Sequence, residues 1–284
     1  MRFSKYEATG NDFIMLDGLN GEPSLDPGKV RWLCDRHRGV GADGVIVLLP
    51  GRAADMRMRI LNADGSEAEM CGNGLRALAL FALDEGMLGG DDGRSLTVET
   101  AVGPRTVTPA GKRAGAAAFT VDMGAPAYER SAIPMEGPPD EKAVGVDIEV
   151  DDTLVMPATC VSMGNPHCVF FVDDMDAYPV QTIGAAVEVN PLFPNRTNVE
   201  FARVIDASHL EVRVWERGVG ETLACGTGAC AAVVAATLDG LVAGKVTVSL
   251  PGGDLEIVWD GGVRMTGPAR RVFIGETAGE RGMA

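Results

Sequence analysis

The chain has 284 residues, nearly half of them hydrophobic and about a quarter charged. That is long enough for two ordinary domains and a large core. With 40 acidic against 25 basic residues and a net charge of −15, it offers no basic patch for phosphate neutralisation, which argues against nucleic acid or an anionic membrane as partner. Its longest apolar run, after Cys230, is too short to cross a bilayer, and the N-terminal segment lacks the pattern of a signal peptide. A cytosolic location is therefore expected, where the six cysteines, none in a CxxC spacing, stay free thiols rather than disulfides or zinc ligands.

In chain order, strands are predicted at Phe3 to Tyr6 and Phe13 to Leu16, then a short helix from Pro27 to Arg36 with Val30, Leu33 and Cys34 on one face. Strands at Val45 to Leu49 and Met56 to Leu61 lead to a glycine-rich turn at Cys71. A helix follows from about Asn73 to Asp84, apolar on every side and so buried all round. Leu96 to Thr100, Arg105 to Pro109 and Phe119 to Met123 read as hairpin strands. From Gly124 to Asp152 the chain is rich in Pro, Gly and acids and reads as a connector. Strands at Cys160 to Met163 and Cys168 to Val172, a helix from Val180 to Val187, and strands at Val199 to Ile205 and Leu210 to Trp215 precede a second glycine-rich turn at Cys225. Its helix runs to about Leu238. Strands at Lys245 to Leu250, Asp254 to Trp259, Val263 to Thr266 and Arg271 to Ile274 close the chain, with the last ten residues frayed.

The two turns are versions of one phrase. NADGSEAEMCGNGLRALALFALDEG surrounds Cys71, and ERGVGETLACGTGACAAVVAATLDG surrounds Cys225, 154 residues later. At the same offset GNDFI with Asn11 returns as GNPHC with Asn165, Met58-Arg59-Ile60 as Val212-Arg213-Val214, Gly44 as Asn198, and Asn62 as Glu216. An ungapped register over so many pieces marks an internal duplication. The expected fold is therefore α+β, with two pseudo-symmetric halves (residues 1–123 and 124–284), each a curved, mostly antiparallel, barrel-like sheet around a central buried helix. The active site is expected between the halves, with the last strand free to pair back with the first half.

A cysteine at a helix start lies in the field of unpaired N–H groups, which binds anions such as carboxylates and favours thiolate over thiol. Both thiols are thus expected to be more acidic than the ordinary value of about 8.5. Glycines at 72, 74, 226 and 228 leave the backbone open to a ligand. If the two helix starts converge, one carboxylate sits between two sets of amides with a sulfur on each side of its α-carbon. Inversion of a stereocentre through a carbanion needs that pairing of base and acid on opposite faces. Cys34, Cys160, Cys230 and Cys168 are read as packing.

Both motifs also fit G-x-G-x-x-A, but neither follows a parallel-type strand within βαβ alternation, so dinucleotide binding is not favoured. No lysine stands in a motif for a pyridoxal Schiff base, and no cofactor or metal is expected. Asn11, Asn62, Asn165, Asn198, Glu216 and Arg217 form a polar set suited to a second ammonium–carboxylate end of a small-molecule substrate, and His167 is placed to tune a thiol. A thiol redox switch or binding module is the reading from another class; matched anion pockets beside both thiols speak against it.

The motifs GNDFI, GADG, NADGSEAEMCGNG, GNPHC, TNVEF and ERGVGETLACGTGAC, in order over about residues 3 to 235, resemble the diaminopimelate epimerase family of cofactor-independent amino-acid racemases. That resemblance implies interconversion of LL- and meso-diaminopimelate in the route to lysine and cell-wall precursor. It implies Cys71 as proton donor and Cys225 as acceptor in the LL-to-meso direction, and Gly72-Asn73 and Gly226-Thr227 as the cradle of the reacting carboxylate. Asn11, Asn62, Asn165, Asn198, Glu216 and Arg217 would read the distal end, and His167 and Glu216 would tune the thiols. A homodimer is also implied. Some members carry Gln where this chain has Gly44, which is left outside the site. A racemase of another amino acid is the rival within the same mechanism.

Overall fold

The computed structural model describes residues 1–68, 70–87 and 93–278. It divides into two compact units, one of residues 1–122 together with those from Thr266 onward, the other of residues 123–265.

In the first unit, β1 (Arg2–Ala8) and β2 (Asn11–Asp17) form a hairpin, α1 (Pro27–Cys34) follows and packs on β3 (Gly44–Pro50), and β4 (Met56–Asn62) and the two-residue β5 (Glu67–Ala68) lead into α2 (Gly72–Asp84). Strands β6 (Leu96–Thr100), β7 (Gly103–Arg113) and β8 (Ala116–Gly124) follow. Neighbouring strands pair in the order β1, β2, β3, β4, β6, β7, β8. The β2–β3 and β4–β6 pairs are parallel and the others antiparallel.

In the second unit, β9 (Val146–Glu149), β10 (Val155–Ser162), β11 (Pro166–Phe171), α3 (Val180–Glu188), β12 (Asn198–Asp206), β13 (His209–Glu216) and β14 (Gly220–Thr222) precede α4 (Gly226–Leu238), then β15 (Lys245–Leu250) and β16 (Gly253–Trp259). The final strand, β17 (Val263–Glu276), pairs antiparallel with β1 and also pairs with β8. It thereby closes the first unit's eight long strands into a barrel, with the Thr120 and Thr266 hydroxyls 2.7 Å apart. A closed sheet has no free edge, so its inward residues need one apolar filler. That filler is α2, packed on β1, β2, β3, β4 and β7 and buried at Leu75, Ala77, Leu78, Ala79, Phe81 and Ala82.

The second unit repeats the plan. Strands β10 to β16 pair with the same alternation of senses, antiparallel for β10–β11, β12–β13 and β15–β16, parallel for β11–β12 and β13–β15. Helix α4 packs on β10 to β13, β15 and β16, buried at every position from Ala229 to Ala236. The 154-residue offset survives in the ladders: Phe13 pairs with Gly44, and His167 with Asn198. It holds to the helix ends and drops by four in the loop beyond, where Met56 pairs with Val98 but Leu210 with Val248.

Three expectations need correction. The segment from Gly124 to Asp152 is not a bare connector, because it contains β9 and puts Ile133, Met135, Ala143 and Ile148 into the second unit's core. Isolated apolar residues among Pro, Gly and acids carry no periodicity from which burial could be read. The two closing strands are one, β17; Pro268 falls before the β1 ladder begins at Arg270, so its missing N–H breaks no bond there. The fraying expected of the last ten residues does not hold at Gly275 and Glu276, which pair with Phe3 and Arg2; residues 279–284 lie outside the described ones. Among the described residues no helix is long and apolar enough to cross a membrane.

Candidate active site

Each cysteine of the repeated phrase is the N-cap of its helix. Cys71 has φ −142° and ψ 115°, Cys225 φ −118° and ψ 113°, both extended as an N-cap requires. The sulfur takes the part usually played by a Ser or Asp oxygen: it accepts from the N–H three residues on, Gly74 or Gly228, at 3.4 Å in both. The local sequence therefore fixes each thiol at the positive end of a buried helix.

In the first unit Cys71 is half-buried and faces Asn11, whose Oδ1 lies 3.7 Å from the sulfur. Asn11 follows the two-residue β1–β2 turn, Thr9-Gly10, where φ is +56° and +79°. A β-branched residue at positive φ is strained, and buried Arg76 holds it there, donating to Thr9 Oγ1 at 2.8 Å, to Asn73 Oδ1 at 3.0 Å and to Pro268 O at 3.3 Å. Asn11 donates its amide to Asp43 at 2.7 Å, which leaves its oxygen toward Cys71. Asp43 also binds Arg36, and Asp12 binds Arg36 and the buried Lys5. Burial would raise the Asp12 carboxyl, but Arg36 and Lys5 outweigh it and hold the group far below the usual carboxylate range. Asn62, at the end of β4, donates to Ser66 on the surface. Gly44 sits so close to β4 that an added Cβ would lie 2.7 Å from Leu61 O, so this backbone carries no side chain there.

In the second unit Cys225 is buried and surrounded by a connected polar set. Its sulfur lies 3.4 Å from Thr227 Oγ1; Asn165 donates to Thr227 at 3.3 Å and its oxygen meets His167 Nε2 at 3.0 Å; His167 Nδ1 meets Glu200 Oε1 at 2.7 Å. Glu216 stands beside Cys225 and accepts from Thr222 at 2.5 Å. Asn198, buried, donates to Pro166 O and accepts from the Arg217 N–H. It thereby places Arg217, whose guanidinium donates to Asn195 O near the surface.

The electrostatics of Cys225 run against the sequence expectation. Burial pushes its thiol well above the ordinary range, and the Glu216 and Glu200 carboxylates add to that; Thr227 and the Gly228 amide only partly oppose it. The helix start stabilises a thiolate, but not enough to outweigh desolvation beside two acids. Burial also raises Glu216, with Thr222 and Cys225 pulling it back. Cys225 and Glu216 therefore compete for a proton at one place.

The other four cysteines pack as expected. Cys34 lies in the first unit's core with burial raising its thiol to about 11, Cys160 and Cys168 face each other across β10–β11, and Cys230 is buried in α4. A surface cleft of 560 Å³ in the first unit, lined by Arg52, Arg57, Arg59, Glu67 and Glu99 among others, holds neither motif cysteine. Residues that sequence reasoning missed are Asp43, Arg76, Thr222 and Glu200. Arg76 had a signal, a lone charge in a helix apolar on every other side.

The sequence pattern of the family described as "Diaminopimelate epimerase" matches residues 3–129 and 159–272. The chain is 50% identical over 280 residues to the diaminopimelate epimerase of Pelotomaculum thermopropionicum, covering 97% of this chain and 98% of that one. Against that of Moorella thermoacetica it is 50% identical over 283 residues, covering 97% and 99%. Among solved structures, a probable proline racemase from Agrobacterium radiobacter with bound carbonate superposes with a TM-score of 0.72 at 15% identity, covering 98% and 93% of the two chains. A phenazine biosynthesis protein of Bacillus anthracis does so with 0.70 at 18% identity, covering 98% of each. At such identities the likeness is one of fold.

Proposed function

This chain belongs to the diaminopimelate epimerase family, and we propose that it interconverts LL- and meso-2,6-diaminopimelate by two-base chemistry at Cys71 and Cys225. The observation that carries the mechanism is the duplicated N-cap thiol, a sulfur held at 3.4 Å by the third N–H of a buried helix in each unit.

In the LL-to-meso direction the Cys225 thiolate takes the α-proton and Cys71 S–H gives a proton to the opposite face, leaving Cys71 as thiolate; the reverse reaction exchanges the roles. The α-carboxylate lies against the amides of Gly72-Asn73 and Gly226-Thr227, which offset the charge developing on it. Cys71 faces an amide oxygen, which accepts its S–H; the Cys225 thiol is raised in the free protein by burial and two carboxylates, and Glu216 beside it is the group that takes its proton when the thiolate is formed. Asn11, Asn62, Asn165, Glu216 and Arg217 read the distal ammonium and carboxylate, with Asn198 setting Arg217. His167 and Glu216 tune the thiols. No added cofactor enters any step. We further propose that the protein is a cytosolic homodimer.

The test is the pair of single variants Cys71→Ala and Cys225→Ala. Each is expected to lose LL-to-meso conversion by at least about a thousandfold, a few kcal/mol of transition-state stabilisation. Wild-type turnover by either variant refutes the assignment.

A further inference from the structure

The duplication provides an internal control. Where the second unit has His167 on β11 and Glu200 on β12, the first has Phe13 and Ile46 at the matched positions of β2 and β3. Ile46 and Glu200 lie under the first turn of their unit's helix. A Cβ added to Gly74 would meet Ile46 Cδ1 at 2.8 Å, and one added to Gly228 would meet Glu200 Oε1 at 2.7 Å. One helix start thus rests on hydrocarbon and the other on a carboxylate. Glu200 and His167 are fully buried, and Glu200 Oε2 has no hydrogen-bond partner. An apolar pair is the cheaper filling of such a place, as the first unit demonstrates, and an acid buried with one oxygen unmet is a cost that packing alone does not call for.

We propose that Glu200 is a positioning residue for the chemistry at Cys225. Its carboxyl and His167 Nδ1 share one proton across 2.7 Å, and Asn165 Oδ1, which can only accept, takes the hydrogen on Nε2; this turns the Asn165 amide nitrogen toward Thr227 and the Thr227 hydroxyl toward the Cys225 sulfur. Every link is a contact of 2.7 to 3.4 Å. Without Glu200 a neutral imidazole can present Nε2 as an acceptor, and the order of donors along the path is lost. The groups acting on Cys225 are Glu216 from β13, Glu200 from β12, and Thr227 and the Gly228 amide from α4, with His167 on β11 reached only through Asn165 and Thr227; the first turn of α4 carries no acid. Of the acids, Glu200 is the one matched in the first unit by an apolar residue, Ile46, where Glu216 is matched by Asn62, and the one with no place in the substrate-reading set. The role rests on the proposed two-thiol reading, because it acts on that reaction's base.

The test compares wild type with Glu200→Gln by the pH dependence of iodoacetamide alkylation, followed separately for the Cys225 and Cys71 peptides, and by kcat and KM on LL-diaminopimelate. Removing the buried carboxylate is expected to lower the pH midpoint at Cys225 by at least about one unit. The Cys71 midpoint should stay in place, and kcat should fall at least tenfold with KM within threefold. A lower Tm with the Cys225 midpoint and kcat unmoved, or equal shifts at both cysteines, overturns the proposal. If Glu200→Gln does not fold, the double variant His167→Phe/Glu200→Ile, which installs the first unit's pair, decides by the same readouts. Failure of both to fold makes the pair structural and also overturns it. Wild-type protein inert toward LL-diaminopimelate would sink the functional reading instead, while the alkylation midpoints would still judge Glu200.

Discussion

Gly74 and Gly228 hold the same position of two similar helices, yet alanine at the two should have unequal consequences. Either substitution gains about 1 kcal/mol of helix propensity at most and keeps the N–H that caps the cysteine. At Gly74 the nearest atom to the new Cβ is Ile46 Cδ1 at 2.8 Å, the end of a side chain that can rotate away. The overpacking cost of about 1 kcal/mol cancels most of the gain. At Gly228 the nearest atom is Glu200 Oε1 at 2.7 Å, a buried carboxylate oxygen held 2.7 Å from His167 Nδ1. Moving it weakens a charge-assisted bond worth about 1.5–3 kcal/mol on top of about 1–3 kcal/mol of overpacking. Gly228→Ala should therefore lose about 2–5 kcal/mol net and Gly74→Ala no more than about 1 kcal/mol. Urea unfolding of the two variants measures the difference. Losses equal within about 0.5 kcal/mol would refute the idea that the carboxylate, rather than general crowding, demands glycine at 228.

Asp12→Asn leaves the buried Lys5 without its anion and should cost about 3 kcal/mol at neutral pH. Because the folded carboxyl of Asp12 is depressed, its contribution is complete above the unfolded value of about 3.9 and is lost as pH falls through the lower folded value. The stability gap between wild type and variant should therefore close below about pH 4 in urea titrations; a gap independent of pH would contradict the pairing. Arg76→Met removes the group that holds Thr9 at positive φ and should lower stability by about 2–4 kcal/mol, read as a fall in Tm. An unchanged Tm would show that the turn before Asn11 stands without it.

The duplication, both N-cap cysteines and both all-round buried helices were legible because each is a local pattern: a repeated word, a glycine-flanked turn, an apolar run of helical length. Two members of the polar set around Cys225, His167 and Glu216, were also within reach, since their segments share the repeat. Glu200 was not. In TNVEF it reads as an ordinary strand residue, and only the parallel β11–β12 pairing brings it under α4 beside His167. The direction of the Cys225 shift was missed for a related reason: the helix start is visible in sequence, but the desolvation and second carboxylate that overcome it come from tertiary packing. The glycine at 228 was read as room for a ligand approaching from outside. The structure gives it an internal cause as well, the carboxylate beneath.

The claim that two thiols work on one α-carbon is tested most directly by incubating the purified protein with LL-diaminopimelate in heavy water, with no cofactor added. Solvent deuterium should enter the α-position of meso product formed in the first turnovers, while unconverted LL substrate stays largely protiated, because the acid that delivers the new hydrogen is not the base that removed the old one. Meso product that retains the substrate's own α-hydrogen would mean that a single group carries the proton from face to face, and the two-base account would fail.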